Sequence, residues 1–340
     1  MNGKKLHFGI IGAGRIGRVH AESISFRLPE ADVLAVFDIN RAAADSLAAH
    51  CAIPKVAASV DEILADPRID AVLICSSTDT HADLIVRAAQ AGKHIFCEKP
   101  IAFALDRIDA AIAAVAKADV KLQIGFNRRF DSNYARVLNA VRSGEIGKLC
   151  LVHIISRDPA PPPISFVRTS GGIFLDMMIH DFDMARFLTG DDVDEVYTAA
   201  GVMVDPAIGE AGDLDTAVVV LHFKGGAIGT IDNSRKAVFG YDQRVEILGS
   251  EGKIATENRF PNQVMVSTGK SVYTDLPLNF FMDRYTESFA QELKEFTQAV
   301  LEGKPTPVTG ADGRAPVIMA LAARKSYDEH RPVRLAEVEP

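Results

Sequence analysis

Short apolar runs alternate with amphipathic stretches through the first third of the chain. The runs cover residues 6–12, 33–38, 71–75, 94–97 and 121–125. Between them, 16–26, 41–50, 80–91 and 104–118 have the composition and length of helices. Runs of this kind, each followed by a helix, predict a doubly wound parallel sheet covered on both faces. The pattern changes after Gly125. Helical segments become fewer, at 132–143, 172–188, 283–301 and 311–329. Strand-like runs cluster between them at 150–157, 193–204, 216–223, 227–233, 244–248 and 263–267. Several meet at turn residues such as Lys224-Gly225-Gly226 and Ser250-Glu251-Gly252, as antiparallel hairpins do. The expected fold is α/β. An N-terminal parallel-sheet domain spans 1–125. A C-terminal α+β domain with one large, mainly antiparallel sheet spans 126–340, for substrate and self-association. Its last helix is free to pack back on the first domain.

Composition narrows the function. The 340 residues are 48% hydrophobic and 24% charged, which excludes disorder and allows two cores. A net charge of −8 lacks the basic bias of a nucleic-acid binder. Cys51, Cys75, Cys97 and Cys150 are scattered, with no metal-ligand spacing, so neither a disulfide frame nor a metal site is expected. The apolar stretch 6–13 is too short for a signal peptide core and reads as a strand. With no long apolar window for a membrane span, a cytoplasmic protein is expected.

Gly12-Ala13-Gly14-Arg15-Ile16-Gly17 is a G-x-G-x-x-G turn between the first run and the first helix. Gly12 permits the tight turn, Gly14 lets backbone approach a diphosphate, and Gly17 lets helix and strand pack closely. Asp38 follows 21 residues after Gly17, where a carboxylate accepts ribose hydroxyls and repels a 2′-phosphate. These features predict NAD. Arg41 leaves two readings open: a contact to a 2′-phosphate, or a solvated first helical turn. Ser76, Ser77 and Thr78 follow another strand C-terminus, where they can line a dinucleotide or cap the helix that carries His81.

Two further groups carry chemistry. Lys99, in Cys97-Glu98-Lys99-Pro100, leaves a strand C-terminus on the expected nicotinamide side. Burial beside a cationic ring lowers a lysine's pKa and suits it to acid–base work; a surface turn is the plain alternative. In 171–183, a helix of ~100° per residue groups Asp176, His180 and Asp183 on one stripe. Phe174, Met178 and Ala185 fall on the opposite, core-facing side. A carboxylate one turn from a histidine fixes its tautomer, although such a pair is also common on solvated faces.

The glycine turn, Glu98-Lys99-Pro100, Gly125-Phe126-Asn127-Arg128-Arg129-Phe130-Asp131 and Asp176-x-x-x-His180 together resemble the glucose–fructose oxidoreductase/inositol dehydrogenase family. The likeness covers nearly the whole chain and is greatest to its inositol 2-dehydrogenases. It implies a Rossmann domain, homotetramers and NAD-dependent oxidation of a ring or sugar secondary alcohol to a ketone. It places the catalytic set on Lys99, Asp176 and His180. It places substrate contacts on these three and on Arg128, Arg157, Asp158, Asp183 and Tyr241. Cofactor contacts fall on Gly12, Gly14, Arg15, Ile16, Gly17, Asp38, Ser76, Ser77, Thr78, His81, Glu98 and Lys99. The loop 159–168, with its triple proline, departs from the inositol dehydrogenase pattern. Hence an aldopyranose dehydrogenase stands as an alternative, beside a non-catalytic NAD-binding regulator and an enzyme that uses bound NAD transiently.

Overall fold

The computed structural model describes residues 4–339, which divide into two compact units. The first comprises the chain up to Phe130 together with Glu287–Ala315. Its strands are β1 (Leu6–Ile11), β2 (Ala31–Phe37), β3 (Lys55–Val56), β4 (Ala71–Ile74), β5 (His94–Glu98) and β6 (Leu122–Gly125). They form one parallel sheet in the order β3-β2-β1-β4-β5-β6, with crossovers α1 (Arg15–Arg27), α2 (Arg41–Cys51), α3 (Val60–Leu64), α4 (Thr78–Gln90) and α5 (Leu105–Ala118). All four residues of β4 are buried, as a strand covered on both faces requires. The expected boundary at 125/126 moves in two ways. The unit runs on to Phe130, and it recruits the helix Thr286–Leu301, whose Leu293 and Phe296 join Phe8, Leu73 and Phe96 in one core. Phe296 lies 6.0 Å from Phe8 and 5.8 Å from Phe96, ring centroid to centroid. Each such buried side chain contributes about 1.5–3 kcal/mol.

The second unit comprises Asp131–Thr286 and the chain from Pro316. It holds α6 (Ser132–Arg142), β7 (Leu149–Arg157), α7 (Ile164–Val167), α8 (Gly172–Asp176), α9 (Ile179–Thr189), β8 (Val193–Gly201) and α10 (Pro206–Glu210). There follow β9 (Thr216–Phe223), β10 (Ile228–Ser234), β11 (Asp242–Gly249), β12 (Lys253–Thr256), β13 (Met265–Ser267), β14 (Val272–Thr274) and α11 (Phe281–Arg284). The helix Thr286–Leu301 is α12, and α13 (Gly310–Glu329) and β15 (Val333–Arg334) close the chain. The sheet order is β12-β11-β7-β10-β9-β8-β15, antiparallel except between β10 and β7. One face packs on α9. The opposite face exposes Leu151, Tyr197, Val218, Ile228 and Leu248. Leu151 pairs with Ile228 on one side and Leu248 on the other, so these apolar side chains adjoin.

Three expected elements change form. The strand expected over 193–204 stops at Gly201, because Asp215 accepts the backbone N–H groups of Met203, Val204 and Asp205 at 2.7, 2.8 and 3.0 Å. The helix expected over 283–301 divides into α11 and α12. The helix expected over 172–188 is α8 and α9, separated at Met177 and Met178. There both N–H groups reach the Ile173 carbonyl, at 3.1 and 2.9 Å, a widened turn.

Candidate active site

The glycine turn follows directly from β1. Gly12 has φ +105°, and a Cβ there would come 2.5 Å from the Cys75 backbone. A Cβ on Gly17 would come 2.0 Å from the Gly12 carbonyl oxygen, so the first turn of α1 can lie on the strand only without one. A Cβ on Gly14 would meet nothing within 4 Å. Gly14 is also the N-cap of α1 and makes no side-chain cap bond. A helix start open to approach and uncapped by a side chain suits a diphosphate. Arg15 and Ile16 are the first residues of that helix.

Asp38 directly follows β2, beside this turn. Its Oδ2 accepts from Ala13 N–H at 2.6 Å and its Oδ1 from Asn40 N–H at 2.7 Å. Each oxygen keeps acceptor capacity for a ribose hydroxyl. Arg41, the first residue of α2, is exposed and donates to Asp45 at 2.9 Å, which is the solvated-turn reading of that residue. Ser77 is the N-cap of α4, yet its hydroxyl makes no cap bond. Ser76 Oγ lies 2.6 Å from Thr80 Oγ1, which in turn donates to the Ser77 carbonyl at 2.8 Å. Thr78 opens the helix. Open Gly14, fixed Asp38 and these hydroxyls together fit a dinucleotide.

Two residues expected on the cofactor, His81 and Glu98, have buried side chains bonded within the protein. The His81 ring is buried, with Nδ1 2.8 Å from the Pro100 carbonyl oxygen and Nε2 3.0 Å from that of Ser76. Both partners are acceptors, so the neutral ring donates to one carbonyl at a time, and its tautomer decides which. Burial pulls the His81 pKa below the ordinary histidine value, against the pull of the two carbonyls. Glu98 is buried too, with Oε1 2.6 Å from His20 Nε2. Its carboxyl packs where a Cβ on Gly125 would stand, 3.0 Å away. Lys99 follows, partly buried, with a cis bond to Pro100. Arg128 is buried in the short 3-10 helix Asn127–Phe130 of the same unit.

The second unit holds the remaining candidates. Asp176 ends α8 and accepts from Arg235 Nη1 at 3.2 Å. Arg235 is itself buried, and its Nη2 reaches Asp213 at 3.4 Å. Asp213 also accepts the Ile173 N–H at 2.9 Å, so a chain of polar contacts ties Asp176 to the start of α8. His180 lies in the first turn of α9. The widened turn at Met177 and Met178 changes the phase between Asp176 and His180, so one uniform helical stripe does not describe them. Phe174, Met178 and Ala185 are buried, as expected of the core face. Asp183 and Asp181 are buried as well, the latter accepting from Asn233 Nδ2 at 3.0 Å, so α9 is enclosed on its polar side too.

Arg157, expected on substrate, is engaged elsewhere. Its guanidinium bonds Asp232 of β10 and, at 3.3 Å, Asp242 of β11. The Asp232 bond holds its pKa above the usual guanidinium value. Burial raises Asp242, but bonds from Arg244 and Asn258 and the Arg157 charge outweigh it and hold the carboxyl below the usual range. Asp158 follows β7, its backbone bonded to Ser234 and Ala237. Tyr241 is buried edge-on to Tyr285, with centroids 6.1 Å apart. Sequence reasoning missed Arg235, Asp213, His20 and Glu292; none sits in a local pattern that marks it.

Fold and site together define a nicotinamide-dependent oxidoreductase. The chain belongs to the GFO/IDH/MocA family: residues 6–126 match the oxidoreductase family NAD-binding Rossmann fold, and 134–255 match the GFO/IDH/MocA C-terminal domain. It is 46% identical to Myo-inositol 2-dehydrogenase of Thermotoga maritima over 98% of this chain and 99% of that enzyme. It is 46% identical to Inositol 2-dehydrogenase of Rhizobium meliloti over 97% of this chain and 99% of that one. A crystal structure of scyllo-inositol dehydrogenase from Lactobacillus casei, with bound NAD(H) and scyllo-inositol, superposes with a TM-score of 0.92. It is 30% identical, over 98% of this chain and all (100%) of that one.

Proposed function

We propose that this protein oxidises a secondary hydroxyl of a cyclic polyol, myo- or scyllo-inositol, to the keto-inositol. The observation that carries this reading is the near-full-length identity to inositol 2-dehydrogenases. Bound NAD supplies the hydride acceptor. Lys99 takes the hydroxyl proton, His180 shares it and Asp176 orients the histidine. Arg128, Asp158, Asp183 and Tyr241 supply polar contacts to a neutral, hydroxyl-rich ring. Arg157 acts through the sheet, because its guanidinium is held by two carboxylates.

The protein works as a cytoplasmic homotetramer. The free cysteines, three of them buried, support a reducing compartment, and the apolar sheet face supports self-association. Among the described residues no helix is long and apolar enough to cross a membrane. A panel of myo-inositol, scyllo-inositol and aldopyranoses with NAD and NADP, followed at 340 nm, tests the reading. Steady NADH production with an inositol is expected. Turnover of aldopyranoses alone would transfer the site to sugars. No turnover of any of them would overturn the reading.

A further inference from the structure

The residues on either side of Lys99 are each held by a buried histidine. On one side Glu98 meets His20 Nε2 at 2.6 Å; on the other the Pro100 carbonyl meets His81 Nδ1 at 2.8 Å. The two histidines come from different helices. His20 stands on α1, the helix that the glycine turn opens, and His81 on α4, whose start carries Ser77 and Thr78. The His20 ring is wedged edge-on against Phe96 and Phe289, with centroids 5.2 and 5.7 Å away, so its plane is fixed. Burying an imidazole is costly unless a hydrogen bond offsets it; here His20 Nε2 and the two His81 nitrogens have partners, while His20 Nδ1 has none among the described residues.

Charged groups around the two rings are few. Glu292 of α12 faces the His20–Glu98 pair, and ligand atoms of all three lie within 4.8 Å of one another. Three such groups could hold a metal ion, but the 2.6 Å contact already joins the His20 and Glu98 atoms that would face it. Glu98 and Asp79 are the acidic groups acting on His81.

We propose that His20 and His81 are positioning residues for Lys99. They fix Glu98 and Pro100, and so fix the backbone from which the lysine projects. Because they stand on α1 and α4, the base is registered to the helix that the glycine turn opens and to the helix that begins at Ser77 and Thr78. This rests on Lys99 being the proton-transfer group. A reacting group displaced by about 1 Å costs on the order of 10²-fold in rate, so two such anchors have a clear use.

The test is a double-mutant cycle in the full-length enzyme with NAD and myo-inositol. His20→Phe and His81→Phe keep ring volume and remove the donor; His20→Gln and His81→Gln restore a donor. The Phe variants are expected to lose about 10- to 100-fold in kcat, on the scale of such a displacement. Polyol KM and the NAD Kd should stay within about threefold, and the Gln variants should recover part of the rate. In a Lys99→Ala background the same substitutions should leave the residual rate unchanged, because nothing remains to position. Unchanged kcat in folded Phe variants would overturn the proposal. So would an equal further loss in the Lys99→Ala background, which marks a merely structural role. If the Phe variants do not fold, His20→Leu and His81→Leu, which also remove the donor, run through the same cycle, and the same two results would overturn the proposal. Full activity of Lys99→Ala alone would instead overturn the assignment of Lys99, a separate result read from a separate variant.

Discussion

The carboxylate of Asp38 accepts the backbone N–H of Ala13 at 2.6 Å, so the end of β2 is tied directly to the turn that follows β1. The specificity residue and the diphosphate turn therefore move as one piece. A 2′-phosphate would meet this carboxylate, with Arg41 committed to Asp45. Asp38→Ala should lower kcat/KM for NAD by about 10- to 100-fold, the cost of losing hydrogen bonds to a charged acceptor. The value for NADP should hold or rise. Steady-state kinetics with both cofactors check this. A native enzyme that uses NADP as well as NAD would refute the role given to Asp38.

Lys99 projects between two immobilised neighbours, and its removal leaves the Gly12–Gly17 turn untouched. Lys99→Ala should bind NAD normally, by fluorescence titration, and lose about 10²–10⁴-fold in turnover, the scale of general acid–base catalysis. His180→Ala should also lose rate. The double variant should lose less than the product of the two, since both act on one proton. Native kcat/KM should rise with pH, because oxidation needs the base deprotonated. A Lys99→Ala enzyme within threefold of native would move the role to His180.

The exposed sheet face of the second unit gives a prediction about assembly. Leu151 and Ile228 are adjacent across β7 and β10 and lie 49% and 41% exposed. An exposed apolar cluster of this kind, with Leu248 on the other side of Leu151, marks an association surface. Light scattering should show an oligomer of native protein at micromolar concentration, and Leu151→Lys with Ile228→Lys should reduce its mass. The fold should survive, because both side chains already face outward. A native monomer would exclude this interface.

What the sequence made legible was local. The glycine turn, its strand and its helix are contiguous, and Asp38 follows at a spacing the βαβ unit dictates. The buried network behind Lys99 was not legible, because His20 and Glu98 lie 78 residues apart and Glu292 comes from a distant helix. The recruitment of α12 to the first unit was hidden for a related reason. Leu293 and Phe296 form an apolar face that fits either core equally well, and only packing decides. The break between α8 and α9 was invisible because Met177 and Met178 are good helix formers. It arises from a doubly used Ile173 carbonyl, which no residue preference announces.

Glu292 offers the last prediction, on stability. It is wholly buried, and neither carboxyl oxygen has a hydrogen-bond partner among the described residues. Burial, reinforced by the Glu98 carboxylate, raises its pKa well above the ordinary 4.5. The folded protein therefore keeps a proton that the unfolded chain releases above pH 4.5. A raised folded-state pKa stabilises fully below the unfolded value, and that stabilisation is lost progressively as pH rises. Glu292→Gln is isosteric, carries no proton to lose and gives up no hydrogen bond. Its melting temperature relative to native should therefore climb as pH rises from about 5 to 8. The limiting slope is about 1.4 kcal/mol per pH unit for a single group. For a domain of this size that corresponds to about 3–6 °C per unit. Melting curves of both proteins across that range decide the matter: a constant difference would mean that Glu292 is ionised in the folded protein.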